Sequence, residues 1–176
     1  MFFNKFFYIF DVKEHEYFKE KILGRINFFQ HQNKNLGVEE YISFISNTDW
    51  QYNSINWYEN FLSINDKKRY QEFIKKTFRK NVIISNTWFN QYYPNSGSDH
   101  PFHDHGNYGL SNVYIIEMLD KSMRTVLKSP KTGKEIIPTV KEGQILIFPS
   151  HILHKSPRNF TNKRKTIISF NSIFTA

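Results

Sequence analysis

From residue 82 onward the chain is a succession of short runs rich in Val, Ile, Phe and Tyr, cut at close intervals by turn-forming residues. No other feature restricts the fold as much. The runs cover 82–93, 112–119, 124–128, 135–140, 144–148 and 166–174, and the cuts fall at Pro94-Asn95-Ser96-Gly97, Pro130-Lys131-Thr132-Gly133 and Glu142-Gly143. β-Branched and aromatic residues fit the pleated surface of a strand, and Pro, Gly and Asn supply the dihedrals of tight turns. Many short strands must therefore pair into sheets, and those sheets need a partner layer to bury their apolar faces.

The first half supplies that layer. Residues 1–12 are expected to form a first strand. Over 13–30 the residues Tyr17, Phe18, Ile22, Leu23 and Ile26 recur every three or four positions, which predicts a helix with one buried face. A second helix is predicted over 65–79, capped by Asn65 or Asp66 and burying Tyr70, Phe73, Ile74 and Phe78. Residues 38–46 are compatible with a shorter helix, and 46–56 with a loop carrying Trp50 into the core. The expectation is a mainly β protein with an α flank: a β-sandwich or jelly roll packed by N-terminal helices, with a helical flank over 1–80 and the β core over 81–176. At 176 residues the chain fits one domain.

There is no cysteine, so disulfides, thiolate nucleophiles and cysteine-held zinc or iron–sulfur groups are excluded. Any metal must be held by His, carboxylate or carbonyl groups. No apolar run reaches the length of a membrane span, and the N-terminal segment does not read as a signal peptide, so a soluble, cytoplasmic protein is expected. A formal net charge of +8 raises the question of a nucleic-acid or other acidic partner. The basic residues are spread along helical stretches, where a solvated face explains them.

Five of the seven histidines lie between residues 100 and 154. His103 and His105 alternate on an extended segment and can reach one ion together, with Asp104 pointing away. His154 follows an apolar strand and is placed to supply a third ligand, which makes these three the candidate metal-binding and catalytic residues. Asp104 or His100 remains an alternative ligand, and His151 reads as a surface residue. Ten positions beyond His154, Arg164 opens the last strand, where Arg164 and Thr166 share a face and can grip one carboxylate. Asn90 and Tyr92 on the strand before the histidines, and Tyr114 on the strand after them, can hydrogen-bond a small molecule. Trp88 and Phe148 read as core.

Taken together, these segments resemble the small 2-oxoglutarate- and Fe(II)-dependent oxygenases with a double-stranded β-helix core, especially a branch common in marine phages and bacteria. The resemblance runs from about residue 46 to 174. It rests on Ser46-Asn47 with Trp50-Gln51, Trp88-Phe89-Asn90, His103-Asp104-His105, Ser111-Asn112-Val113-Tyr114, Glu142-Gly143 leading to Phe148-Pro149-Ser150, His154, and Arg164 through Ser169-Phe170-Asn171. It implies a dioxygenase that binds Fe(II) through His103, His105 and His154 and holds 2-oxoglutarate through Arg164. With O2 it would hydroxylate a C–H bond of a peptide or protein side chain, or of a small molecule, releasing succinate and CO2. Most of that superfamily has a carboxylate where His105 stands, so the ligand set here is more positive. Two other classes compete: a cupin-like metal-binding β-barrel without 2-oxoglutarate chemistry, which leaves Arg164 unexplained, and a non-catalytic nucleic-acid-binding or assembly protein, supported by charge alone.

Overall fold

The structure is a computed structural model, and it describes residues 6–32, 38–40, 43–50, 61–107 and 109–175. In chain order the elements are β1 (Tyr8–Asp11), α1 (His15–Gln32), β2 (Val38–Glu40), β3 (Ser43–Ile45), β4 (Asn47–Thr48), α2 (Ile64–Phe78), β5 (Asn81–Tyr92), β6 (His100–His103) and β7 (Leu110–Met118). They continue with β8 (Val126–Lys128), β9 (Glu135–Ile136), β10 (Gln144–Pro149), β11 (His154–Ser156) and β12 (Lys165–Thr175). A six-stranded antiparallel sheet runs β1-β10-β7-β12-β5-β4, and a four-stranded one runs β6-β11-β8-β9.

The large sheet is buried on both faces. Towards the helices, Tyr114, Ile145, Ile147, Ile168 and Phe170 pack with Ile22 and Ile26 of α1 and Tyr70 and Ile74 of α2. Towards the small sheet, Val113, Ile115, Leu146, Phe148 and Ile167 pack with Leu127 of β8. Each such side chain contributes roughly 1.5–3 kcal/mol when fully buried, and these two layers hold the molecule together. Mainly β architecture with two helices on one side agrees with the sequence expectation.

Local chemistry sets the helix ends. Ser63, rather than Asn65 or Asp66, caps α2 by accepting from the Asp66 amide at 3.0 Å, and Arg79 closes it in the left-handed region at φ 59°. Asp66 is instead buried and accepts from the Lys13 and Glu14 amides, which ties α2 to the turn between β1 and α1. On α1, Tyr17 is exposed rather than part of the buried face.

The N-terminal half is less purely helical than predicted. Besides the expected β1 it contributes β4 to the large sheet, and within 38–46 the described segments 38–40 and 43–45 pair as β2 and β3 instead of forming a short helix. Backbone pairing explains this: the Phe44 amide and carbonyl exchange hydrogen bonds with Asp99, a partner that local propensity cannot register. The loop predicted over 46–56 starts with β4, Trp50 is exposed, and residues 51–60 lie outside the described part. The strand predicted over 135–140 stops at Ile136, two residues before Pro138. Among the described residues no helix is long and apolar enough to cross a membrane.

Candidate metal centre

Two short strands bring the histidines together, and sequence patterning had revealed neither. β6 and β11 pair antiparallel with His103 directly opposite His154. His105 lies just beyond β6, and its amide donates to the Ser150 carbonyl at 2.9 Å, which holds the loop against the end of β10. Gly109 closes this loop onto β12 at φ 145°, where an added Cβ would sit 2.1 Å from the Ser172 carbonyl oxygen. One ligand atom from each of His103, His105 and His154 lies within 4.8 Å of the others, an arrangement able to hold a single ion.

The hydrogen bonds decide which nitrogens are offered. His103 Nδ1 lies 2.8 Å from the Pro101 carbonyl, His154 Nδ1 3.0 Å from the Ile152 carbonyl, and His105 Nδ1 2.9 Å from Asn171 Oδ1. Each of these oxygens can only accept, so each Nδ1 donates, which leaves Nε2 as the nitrogen available to a metal. Burial, followed by the neighbouring histidines, lowers the His154 pKa well below the ordinary value, and burial likewise lowers that of His103. Three imidazoles with their Nδ1 atoms committed to hydrogen bonds are a donor set that suits Fe(II) as well as other divalent first-row metals.

The alternative ligands fall outside this set. Asp104 is exposed and accepts from the Gly106 amide. His100 stacks on His103 with ring centroids 3.7 Å apart and planes 15° apart, and burial lowers it to about 3, so it forms a neutral wall of the cavity. His151 is exposed. Phe148 is core against His154, whereas Trp88 is half-buried and lines the cavity beside His105.

Asn90 and Tyr92 both line the cavity, but three other predicted binding residues do not. Arg164 and Thr166 indeed share a face, yet it is the face turned away from the imidazoles, and both bond to Glu117 there. Tyr114 points into the helix-side core, where its hydroxyl meets His15 Nδ1 at 2.8 Å. The reason is the two-residue period of the strand: a register displaced by one position exchanges the faces.

On the face that Arg164 leaves, β12 presents Lys165. It lies opposite Tyr92 in the pairing of β12 with β5 and shares a face with Ile167 and Ser169, which line the cavity. Lys165 is 1% exposed, its Nζ donates to Ser156 Oγ at 3.0 Å, and it rides 5.2 Å above the Tyr92 ring. Ser156 and Tyr92 both line the cavity. Among the described residues no carboxylate pairs with this ammonium, and burial lowers it to about 7. The sequence signal for it was present but ambiguous, since Lys165 stands between two equally plausible gripping residues.

No family model and no curated protein matches the chain. Solved structures do. AviO1 from Streptomyces viridochromogenes Tue57 superposes with a TM-score of 0.70 at 11% identity, over 95% of this chain and 89% of that one. The non-heme alpha ketoglutarate dependent epimerase SnoN from nogalamycin biosynthesis does so with a TM-score of 0.69 at 7% identity, over 96% and 76%. The viral collagen prolyl hydroxylase of Paramecium Bursaria Chlorella virus-1, solved with 2-oxoglutarate, gives 0.63 at 14% identity, over 96% of both chains. The chain therefore has the fold of 2-oxoglutarate–Fe(II) oxygenases.

Proposed function

We propose that the protein is a 2-oxoglutarate- and Fe(II)-dependent dioxygenase with a double-stranded β-helix core, in which His103, His105 and His154 hold the iron. The observation that carries this reading is the buried ammonium of Lys165, without a carboxylate partner among the described residues and held against Ser156 and Tyr92, two residues that line the cavity of the three convergent imidazoles. A buried unpaired charge is costly unless a ligand compensates it, so the cavity is built to receive an anion close to the metal. A dicarboxylate meets both requirements, one end towards the imidazoles and the other towards Lys165. Lys165 takes the role that the sequence suggested for Arg164.

In this reading Lys165 and the Ser156 hydroxyl bind the distal carboxylate, and the Tyr92 ring limits the depth of the pocket. Asn90, whose Oδ1 accepts from Thr48 at 2.7 Å, orients the co-substrate with its amide group. Iron, once bound, supplies the redox chemistry that turns O2 and the oxo acid into an oxidant for a C–H bond. The chain's own part is to keep three imidazoles aimed, and to exclude water with the packed wall of Val113 and Ile167, backed by Phe148. The substrate, a peptide or protein side chain or a small molecule, approaches beside half-buried Trp88.

A metal-binding barrel without 2-oxoglutarate chemistry explains the imidazoles but not Lys165. The deciding experiment compares Lys165→Met with Arg164→Met. Iron binding should survive in both, while 2-oxoglutarate affinity and succinate release should collapse only in Lys165→Met. Unchanged co-substrate binding in Lys165→Met would leave the barrel reading in its place.

A further inference from the structure

The three imidazoles are not secured alike. His103 and His154 each lean on the carbonyl two residues earlier in their own chain, Pro101 and Ile152, so no side-chain replacement can remove those acceptors. His105 depends on side chains from two other strands, Asn171 of β12 and Ser111 of β7. These two are direct cross-strand partners and therefore face the same imidazole. The Ser111 hydroxyl is 3.3 Å away and is able to donate or accept, so it does not choose between tautomers. The Asn171 carbonyl, at 2.9 Å, only accepts and therefore selects the Nδ1–H form.

We infer that Asn171 is a positioning residue for the metal site: by accepting from Nδ1 it holds His105 in the tautomer that offers Nε2, and it does so without adding charge. The inference rests on the metal reading above and deepens it. An aspartate at position 171 would accept the same proton but place a negative charge behind the ligand, in effect moving the carboxylate that most of the superfamily keeps at position 105 into the outer shell. An amide therefore leaves the ligand set uncharged, and a divalent ion with a dianionic co-substrate then forms a neutral assembly.

Two readouts test this. In the metal-free protein, 15N shifts of the imidazoles report the tautomers directly: Asn171→Ala should give His105 a mixed tautomer while His103 and His154 keep Nδ1–H. In a Co(II) titration followed by visible absorption, Asn171→Ala should bind about 10–100-fold more weakly, the usual cost of losing such a partner. Asn171→Asp should recover the metal affinity of the parent while weakening the binding of oxalate, a dianion probe, to the Co(II) form. A His105 that remains purely Nδ1–H in Asn171→Ala, with unchanged Co(II) affinity, would overturn the inference. If Asn171→Ala fails to fold, Asn171→Asp decides: affinity lost tenfold or more overturns the inference, and affinity retained with weakened oxalate supports it. A parent protein that binds no Co(II) at all would instead overturn the metal reading, and this inference with it.

Discussion

Replacing Lys165 by Met should make the ligand-free protein more stable, because the wild-type chain buries an ammonium that gains no carboxylate partner among the described residues. Burial lowers Lys165 from 10.5 to about 7. At about 1.4 kcal/mol per pH unit, that difference corresponds to on the order of 5 kcal/mol of destabilisation where both folded and unfolded chains are protonated, below about pH 7. Between about pH 7 and 10.5 the unfolded chain holds a proton that the folded chain lacks, so wild-type stability should climb with pH and the penalty should vanish above 10.5. Losing the bond to Ser156 offsets about 1 kcal/mol of the gain. Urea denaturation of the ligand-free proteins should therefore place Lys165→Met about 3–4 kcal/mol above wild type near pH 6, with the margin closing as pH rises. Added 2-oxoglutarate should stabilise wild type alone. A Met variant that is no more stable near pH 6, or a margin flat across pH, would refute the claim that the buried charge is maintained at the expense of stability.

Two further substitutions probe the frame around the site. Tyr70→Phe removes a buried hydroxyl that donates to Asn112 Oδ1 at 2.7 Å and also contacts Ser172, and it should cost about 1–3 kcal/mol in denaturant unfolding while leaving metal affinity intact; a neutral result would mean that the network is not buried as described. Gly109→Ala drives a methyl to 2.1 Å from the Ser172 carbonyl oxygen and should displace the loop that carries His105, seen as both a lower melting temperature and weaker Co(II) binding; wild-type values for both would contradict the close approach.

Much of the site's chemistry was readable in the chain. The spacing of His103 and His105, with His154 beyond an apolar run, identified the cluster because alternate residues on extended chain reach the same side. The residues around the cavity were harder. On β12 both faces are buried, one against the helices and one against the small sheet, so apolar and polar residues do not alternate in a way that reveals which side is which. Arg164 and Thr166 were a plausible grip for that reason, and only the pairing with β5 and β7 turned Lys165 inward. Tyr114 was misplaced by the same ambiguity on β7. Asn171 carried no signal as a partner of His105, since nothing local links residues 66 positions apart.

By itself the sequence determined the composition of the two layers, the turns that cut the second half into strands, the helix faces that cover the sheet, and the set of imidazoles available to a metal. These follow from local periodicity and from the chemistry of each residue type. The tertiary structure alone decided that residues 38–40 and 43–45 pair as strands, that β6 and β11 exist and face His103 to His154, and which of three consecutive residues, Arg164, Lys165 or Thr166, lies on the cavity side of β12. Each of those outcomes depends on hydrogen bonds between distant segments, and a single-residue change of register would reverse the last of them.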